Sequence, residues 1–490
     1  MPDQFATRRS RYVLLTGATG FLGTALLEAL LRRTQARVAV LVRPTSRASA
    51  HDRVRELVRS EAFEPLRAEF GLLAETALLS RIDVIPGDLS SLDAPHGPTS
   101  ARLALPRGID TVIHSASSVN FDDPLSAAFA ANVEGPAALY RALVEAGGSP
   151  HVIHVSTTYV NAGRVRVGRE DSVRHDVDWR LELVANDATL ANDATAGRRH
   201  ARRYGWTDTY TFSKALGERV AEEEWGRRGH RLTVLRPAII ESAVQRPFPG
   251  WLDGFKVADP LIAAYAEGQL DSFPGRARGA IDIVPVDAVV DTAFAAMSRP
   301  PLSGRPRYLQ VATSRANPLR LRDIRPRVAA ALDAHGWPNA EARGRTVRYR
   351  SELTIRAGLH VARAQLLAQY AMRGAGGVGR RRRRALDRLS KFVTLYAPYT
   401  CNPTTFDMTG TGALLEAYRN GGGRAVDVTT LDWDHYLTDV HVPALGVQRK
   451  WWPDSAVVAV TAQARAVSRV TNRHVRTEPI EIRTPATLAG

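Results

Sequence analysis

The clearest candidate for catalysis is a tyrosine and a lysine four residues apart. Tyr210 and Lys214 lie in the stretch TYTFSKALGERVAE, whose apolar residues recur at helical intervals. Side chains at this spacing share one face of a helix. A phenol is a poor acid near neutral pH until a nearby cation lowers its pKa, and Lys214 would supply that charge. We predict that Tyr210 gives a proton to a substrate oxygen as hydride reaches the adjacent carbon, with the Thr157 hydroxyl hydrogen-bonded to the same oxygen.

A glycine-rich turn near the N-terminus predicts a dinucleotide site. The apolar run Tyr12–Thr16 predicts a buried strand, a helical pattern begins at Phe21, and Gly17, Gly20 and Gly23 recur at three-residue intervals. Glycine lets the backbone turn tightly beside a pyrophosphate, and the helix N-terminus offers free N–H groups to the phosphates. The alternative is a tight turn without a ligand. The residues of this turn that we predict to contact the cofactor are Thr16, Gly17, Thr19, Gly20, Phe21, Leu22 and Gly23.

The end of the second strand indicates which nicotinamide cofactor is used. After the apolar run Arg37–Val42, a site that prefers NAD usually has an acidic residue for the ribose 2′-hydroxyl, but this chain continues with Arg43 and then Arg47. A planar guanidinium suits a 2′-phosphate. We therefore predict NADPH, with Arg43 as the first choice and Arg47 as the second. The alternative is that these are surface arginines of an arginine-rich chain.

The GxxGxxG spacing within TGATGFLG resembles the extended short-chain dehydrogenase/reductase superfamily. That resemblance implies that Asn132 supports an active-site water, whereas the plainer alternative is a polar residue that bends its helix. It also implies that Asp88 and Leu89 contact the adenine and that the small residues after His114 let the cofactor lie against the sheet. Outside the turn and the two arginines, the cofactor contacts predicted in this way are Asp88, Leu89, Ser115, Tyr210, Lys214 and Pro237.

Several further motifs resemble one family within that superfamily, the fatty acyl-CoA reductases. The resemblance covers residues from about 10 to 446. It implies NADPH-dependent reduction of a long-chain acyl thioester: hydride adds to the thioester carbon, Tyr210 protonates the oxygen, the hemithioacetal collapses to an aldehyde, and a second hydride gives the alcohol. The motifs that carry it are TGATGFLG, HVSTTYVN, YTFSKALGE, LRPAII, PFPGWLDG, IDIVPVD, YTCNPTTFD and LDWDHYLTDVHVPAL.

Three other functions remain open. A reductase acting on a CoA or acyl carrier protein thioester could stop at the aldehyde, and nothing in the sequence separates one hydride transfer from two. An NAD-dependent sugar-nucleotide epimerase or dehydratase would use the same Tyr–Lys pair, but Arg43 and the PFPGWLDG motif speak against it. A non-catalytic NADP-binding regulator would not need to retain Thr157, Tyr210 and Lys214 together.

The order of the apolar runs predicts an α/β fold, namely a Rossmann-type doubly wound parallel sheet with a mainly helical C-terminal domain. The Pro-, Gly- and Arg-rich stretch 300–306 predicts the boundary between an NADPH-binding catalytic domain (10–300) and a fatty acyl-CoA reductase C-terminal domain (307–446), and 447–490 is a tail of unknown role. The polar insertion 163–205 is expected to be a lid or a mobile loop. Predicted strands within the first domain cover residues 12–16, 37–42, 82–86, 109–114, 151–155 and 232–235.

Composition narrows the functional class. The 490 residues include one cysteine, Cys401, so no intramolecular disulfide can form, and we expect this thiol to be buried and inert. The net charge of +16 comes almost entirely from arginine and lacks the aromatic interleaving of single-stranded nucleic-acid binders. We predict no nucleic-acid partner and no metal site. With no secretory signal and no apolar run of about 20 residues, we predict a cytoplasmic protein.

Peripheral membrane contact is a separate hypothesis. Residues 351–373 predict a helix with mixed apolar and basic residues, and five arginines follow at Arg380–Arg384. Such a helix and polybasic patch could lie on anionic lipid, where long-chain substrates partition. The alternative, which we favour slightly, is a helix that packs its apolar face on its own domain. The five arginines could also attract the phosphates of CoA or an acyl carrier protein.

Overall fold

A seven-stranded parallel sheet lies at the centre of the computed structural model, in the spatial order β7-β6-β5-β4-β1-β2-β3. The winding reverses between β1 and β4, where Rossmann-type sheets bind dinucleotides. The predicted doubly wound α/β fold is therefore confirmed. The structure describes residues 12–89, 105–121, 123–184, 193–254, 259–266, 272–336, 348–373, 383, 387, 390, 393–394 and 396–449. The strands are β1 (Tyr12–Thr16), β2 (Arg37–Val42), β3 (Ile82–Pro86), β4 (Thr111–His114), β5 (His151–Val155), β6 (Leu232–Pro237) and β7 (Arg307–Val311).

Helices cover both faces of the sheet and make up most of the described C-terminal part. Two π-helical turns, Ala130–Glu134 and Tyr436–His441, interrupt the series. The α-helices are α1 (Phe21–Arg33), α2 (Ala50–Arg59), α3 (Glu64–Phe70), α4 (Ala74–Leu79), α5 (Leu125–Phe129), α6 (Gly135–Glu145), α7 (Trp179–Val184), α8 (Ala194–Arg203), α9 (Thr209–Glu224), α10 (Asp259–Ala266), α11 (Val286–Ser298), α12 (Leu321–Ala334), α13 (Glu352–Arg373), α14 (Thr409–Asn420), α15 (Trp433–His435) and α16 (Val442–Gln448).

The buried strands account for the core. Strands β1, β4 and β5 are buried on both faces, as expected for strands covered by helices on each side. Four short pairs of strands lie outside the central sheet. They join Val167–Gly168 to Thr405–Phe406, Ile239–Glu241 to Ile283–Pro285, Ser272–Pro274 to Arg348–Arg350, and Ala280–Ile281 to Leu319–Arg320.

The central sheet continues past the predicted domain boundary. Residues 307–311, which we assigned to the C-terminal domain, form the edge strand β7 and pair in parallel with β6. The alternating pattern RYLQV fits an edge strand, but the preceding Pro- and Gly-rich stretch suggested a change of domain. The division at 300–306 and the role of the tail stay predictions, and residues 450–490 lie outside the described part of the chain.

The predicted lid at 163–205 contains regular structure in part of its described residues. Helices α7 and α8 lie within it, and Val167–Gly168 pairs with the C-terminal strand Thr405–Phe406. Glu170 accepts hydrogen bonds from the Gly410 N–H and from the Thr411 N–H at 3.0 Å. The insertion is therefore fastened to the C-terminal segment, and the expectation of a loop was wrong for these residues because long-range contacts override their polar composition.

Helix α13 packs partly on its own domain, as the favoured alternative predicted. Ile355 and Leu359 are buried in a small cluster with Val393 and Ala397, beside the half-buried Cys401. Among the helix side chains that the structure describes, Leu353, Val361 and Leu367 are exposed.

The membrane hypothesis thus stays a prediction. Of Arg380–Arg384, all but Arg383 lie outside the described residues. Among the helices that the structure describes, none combines the length and the apolar character required to cross a bilayer.

A buried ion pair joins α9 to the sheet. Arg236, on β6, donates to both carboxylate oxygens of Glu218, on α9, at 2.9 and 2.7 Å. Both side chains are fully buried. The guanidinium also donates to the backbone carbonyls of Arg169 (3.2 Å) and Asp171 (2.8 Å), so four of its five N–H donors have protein partners. Removing one partner would leave an uncompensated buried charge.

We expect Arg236→Met to lower the free energy of unfolding by about 3–5 kcal/mol, because Glu218 would remain buried without a counter-charge. The matched control is Arg228→Met, which removes a half-exposed pair with Glu224 on the same helix and should cost less than about 1 kcal/mol. Adding Glu218→Leu to Arg236→Met should restore part of the loss. Urea unfolding measures all three; equal losses for Arg236→Met and Arg228→Met would contradict the assignment.

Candidate active site

The glycine turn between β1 and α1 comes very close to the end of β4. Gly17 has φ +73°, and a Cβ there would lie 2.6 Å from the Ala116 nitrogen. A Cβ on Gly23 would lie 1.9 Å from the Gly17 carbonyl oxygen. The Ser115 hydroxyl donates to the Thr16 carbonyl at 2.8 Å, which holds the two segments together. Only glycine fits these positions, so the turn can present backbone to a ligand.

The N-terminus of α1 is suited to an anion. Gly20 occupies the N-cap and offers no side chain to the first free N–H groups, and the first turn contains no acidic residue. These N–H groups and the positive end of the helix dipole therefore face the space above the turn. Phe21 begins the helix and Leu22 is partly buried against the core.

Arginines surround the predicted 2′-phosphate position. The Arg43 guanidinium lies 3.2 Å from the Asp88 carboxylate, and its side chain is 69% exposed. Arg47 is exposed as well. Arg53, which the sequence analysis missed, donates to the Thr19 hydroxyl at 3.2 Å and also to the Arg43 carbonyl. Its place on the first turn of α2, shortly after Arg43 at the end of β2, could have indicated its role.

The catalytic helix α9 begins at a capped N-terminus. Asp208 is the N-cap, and its carboxylate accepts from the Thr211 N–H at 2.7 Å. One turn into the helix, the Lys214 ammonium donates to the Val155 carbonyl at the end of β5 at 2.6 Å. Burial lowers the pKa of Lys214 to about 8, although the Glu218 carboxylate one turn away opposes that change. The lysine thus joins the helix to the strand that precedes Thr157.

Thr157 and Tyr210 lie next to each other, close enough for the Thr157 side chain to oppose the rise in the pKa of Tyr210. The Thr157 hydroxyl donates to the Pro237 carbonyl at 3.3 Å and accepts from the Tyr159 N–H at 3.3 Å. The shared contact of both hydroxyls with one substrate oxygen stays a prediction.

The pKa of Tyr210 is raised, whereas the sequence analysis predicted that Lys214 would lower it. Burial of the phenol raises the pKa, the hydrogen bond with Thr157 opposes the rise, and the Asp208 charge adds to it. The prediction was wrong for this arrangement because the Lys214 ammonium is turned towards Val155. The phenol therefore stays protonated at neutral pH, as a proton donor must be.

Asn132 connects the catalytic helix to the loop after β4. It lies in the π-helical turn before α6, a local geometry common at functional sites. Its amide donates to the Ser213 hydroxyl at 3.0 Å and its oxygen accepts from the Ser118 N–H at 2.9 Å. The Asn132 carbonyl would lie 2.3 Å from a Cβ on Gly217, so α9 packs directly on this turn. Its predicted support of a water stays a prediction.

An aromatic wall from three parts of the chain borders Tyr210. The Phe121 ring lies 5.4 Å from the Tyr210 ring, and Tyr399 lies 5.0 Å from Phe121 and 4.6 Å from Tyr159. The Tyr399 hydroxyl donates to the Asp208 carboxylate at 3.1 Å. Tyr399 belongs to the YTCNPTTFD motif, so the C-terminal segment reaches the catalytic helix. The sequence analysis identified the motif, but Tyr399 and Asp208 are 191 residues apart, and no sequence pattern indicates their contact.

Two family motifs meet behind the cofactor turn. Trp251 of PFPGWLDG lies against Phe21 of the glycine turn, with ring centroids 5.0 Å apart. Asp287 of IDIVPVD accepts backbone N–H groups from Val244 (3.1 Å) and Gln245 (2.7 Å), which precede that loop. Burial raises the pKa of Asp287 to about 6. The IDIVPVD motif therefore holds the start of the loop that carries PFPGWLDG.

The remaining predicted cofactor residues lie at the carboxyl ends of the strands, but the side chain of one of them, Leu89, is buried. Asp88 and Leu89 follow β3, Ser115 follows β4, and Pro237 ends β6. Leu89 is buried, with its Cβ 3.2 Å from where a Cβ on Gly135 would be. Its side chain is thus part of the core. All cofactor contacts named above stay predictions at the residue level.

We expect the buried Lys214 ammonium to lower the free energy of unfolding, and to lower it less as the pH rises. Its pKa is about 8 in the folded chain, against 10.5 for a lysine exposed to water, so between these values the unfolded state binds more protons and stability rises with pH. We expect Lys214→Met to lose stability relative to wild type as the pH rises from 8 to 10.5. The difference between their free energies of unfolding (variant minus wild type) should fall by up to about 3 kcal/mol over this range. Urea unfolding at several pH values measures the difference; a difference that does not change with pH would contradict the buried ammonium.

Comparisons with known proteins identify the family of this chain. Residues 15–293 match the NAD-binding family model described as Male sterility protein. The chain is 26% identical over 481 residues to the chloroplastic fatty acyl-CoA reductase 2 of Arabidopsis thaliana, covering 88% of this chain and 77% of the relative. It is 25% identical over 485 residues to the alcohol-forming fatty acyl-CoA reductase of Simmondsia chinensis, covering 89% and 96%.

Solved structures share the fold at low identity. The terminal R domain from the myxalamid PKS-NRPS pathway has a TM-score of 0.55 and 22% identity over 86% of this chain and 89% of its own. A dTDP-glucose 4,6-dehydratase from Streptomyces venezuelae, with NAD and TYD bound, has a TM-score of 0.51 and 15% identity over 91% and 99%. The family match covers more than half of the chain, and the predicted resemblance is confirmed. The chain belongs to the Male sterility protein family, and its curated relatives are fatty acyl-CoA reductases.

Proposed function

We propose that this protein is an oxidoreductase that reduces a long-chain fatty acyl-CoA, through the aldehyde, to the primary alcohol, with NADPH as reductant. The observation that carries the proposal is that Thr157 lies next to Tyr210 at the sheet that carries the glycine turn, in a chain whose curated relatives are fatty acyl-CoA reductases. The dehydratase named above shares only the fold, so the epimerase or dehydratase alternative gains no support from it.

The residues have separate parts in this chemistry. Bound NADPH supplies the hydride. Thr157 and Tyr210 hold the thioester oxygen, and Tyr210 gives it a proton, which leaves a hemithioacetal. That hemithioacetal releases CoA as the thiol and becomes the aldehyde. The same two residues then hold the aldehyde oxygen during a second round, so the overall reaction consumes two NADPH and two protons per alcohol formed. Lys214 joins α9 to the end of β5 and, in this proposal, also contacts the nicotinamide ribose.

The proposal assigns the 2′-phosphate of NADPH to Arg43 and Arg53. Arg43 is the exposed cation at the end of β2, and Arg53 reaches the turn through Thr19. The Arg43 guanidinium already contacts Asp88 at 3.2 Å, so a phosphate would compete with a solvent-exposed carboxylate for it. Two charge-assisted hydrogen-bonding groups at one phosphate would favour NADPH over NADH.

We expect Arg43→Ala and Arg53→Ala each to weaken NADPH binding by about 10- to 100-fold, with little change for NADH. Arg55→Ala is the matched control, because it removes an exposed arginine that lies on the same helix as Arg53 and pairs with Asp52, and it should change NADPH binding far less. Fluorescence titration of both reduced cofactors measures the ratio. Equal losses for NADPH and NADH would place the phosphate site elsewhere.

Tyr210→Phe removes only the phenolic hydroxyl. We expect turnover to fall by about 10²- to 10⁴-fold while NADPH binding is kept, because the proton donor is lost and the fold is not. Tyr204→Phe is the control, since it removes a hydroxyl that hydrogen-bonds to Glu182 on the neighbouring surface. Substantial activity in Tyr210→Phe would remove Tyr210 from the acid role.

Turnover and product are tested together by following NADPH oxidation with palmitoyl-CoA and analysing the extract by gas chromatography. Hexadecanol is the expected product. Hexadecanal alone would limit the reaction to one hydride transfer. Oxidation only with an acyl carrier protein thioester would change the substrate class, and tightly retained NAD without net NADPH oxidation would favour the epimerase or dehydratase alternative.

A further inference from the structure

Three buried side chains of ligand type meet where the C-terminal segment packs on the sheet. Glu241 ends the short strand Ile239–Glu241, Asp259 begins α10, and His441 ends the π-helical turn before α16. All three are fully buried. One ligand atom from each lies within 4.8 Å of the other two. This buried triad contains two carboxylates and one imidazole, and none of the three belongs to the proposed catalytic machinery.

The His441 ring points into the triad without completing a hydrogen bond there. Its Nε2 atom lies 3.2 Å from the Asp259 Oδ1 atom, but the direction of the ring nitrogen does not satisfy hydrogen-bond geometry. Two ligands of one ion, with bonds of about 2.0–2.2 Å, lie roughly 3–3.5 Å apart and point at the ion rather than at each other. The distance and the direction both fit a shared ion.

The other ring nitrogen is held in the way that metal-binding histidines are held. Nδ1 of His441 lies 3.0 Å from the Ser242 hydroxyl oxygen, which can accept its proton. The Tyr436 hydroxyl donates to the Ser242 carbonyl at 2.8 Å, and its ring stacks on the imidazole at 5.8 Å. With Nδ1–H donated to Ser242, the Nε2 lone pair faces the carboxylates. A partner of this kind fixes the tautomer and orients the ligand.

Buried carboxylates attract a cation. Moving a carboxylate out of water costs several kcal/mol, and two of the three ligand atoms of the triad are carboxylate oxygens. A divalent cation bound here would lower the free energy of burying them.

We propose that Glu241, Asp259 and His441 bind a divalent transition-metal cation of the Zn²⁺ or Mn²⁺ class, which fastens the C-terminal segment to the Rossmann unit. The imidazole favours such ions over Mg²⁺ and Ca²⁺, which prefer oxygen ligands alone. Because the triad is closed to solvent, the ion has a structural role. The sequence analysis predicted no metal site, because the three ligands proposed here are spread over 200 residues and form no spacing motif. The proposal is independent of the proposed activity.

The test uses full-length, tag-free protein. Metal content is measured by mass spectrometry after purification, and Zn²⁺ and Mn²⁺ are then titrated calorimetrically into chelator-treated protein. We expect about one equivalent of tightly bound ion, and a melting temperature that falls on chelation and recovers when the metal is restored. No stoichiometric metal and no change in melting temperature with either ion would overturn the site and leave a buried imidazolium–carboxylate network.

Conservative variants make the test specific. His441→Gln and Glu241→Gln should each weaken binding by ~10-fold or more and remove the effect of chelator on the melting temperature. His200→Gln is the matched control, because His200 lies 2.7 Å from the single carboxylate of Glu182 and should leave metal binding unchanged. If a triad variant does not fold, the comparison of chelated and metal-loaded wild type still decides. Full metal binding by folded His441→Gln would overturn the proposal.

Discussion

The buried ion pair between Arg236 and Glu218 fixes the position of the helix on which the proposed chemistry depends. Helix α9 carries Tyr210 and Lys214, and Arg236 holds it to β6 through both oxygens of Glu218. Because an ammonium buried beside the sheet is costly, Lys214 needs such a rigid support. Together with the bond from Lys214 to the Val155 carbonyl, the ion pair holds the face of α9 that carries Tyr210 against the sheet.

The C-terminal segment completes this site. Tyr399 reaches the N-cap of α9 through Asp208 and stacks in the aromatic wall near Tyr210. Elsewhere, the segment that contains His441 packs on the strand and helix that follow β6, and Trp251 from the loop between them lies against the cofactor turn. These two contacts, one beside α9 and one at the buried triad, add to the joint that Glu170 and the Val167–Gly168 strand make with the C-terminal segment.

The sequence was sufficient where the signal is local and insufficient where it depends on distant contacts. The bounds of β1, β2, β3 and β5 and the glycine turn follow from short apolar runs and steric need. The meeting of Thr157 with Tyr210 was also predicted. Arg53, Tyr399 and the triad were not, because their partners are fixed only by the folded topology. The raised pKa of Tyr210 was missed for the same reason: the direction of the Lys214 ammonium is set by Val155.

The central claim is that this chain moves hydride from NADPH to an acyl carbon twice. Incubating the protein with palmitoyl-CoA and NADPH carrying deuterium at both C4 positions, and then analysing the product by mass spectrometry, tests it most directly. The account predicts hexadecanol with two deuterium atoms at C1. An aldehyde with one deuterium would limit the reaction to a single transfer, and a product without deuterium at C1, or no product, would contradict the account.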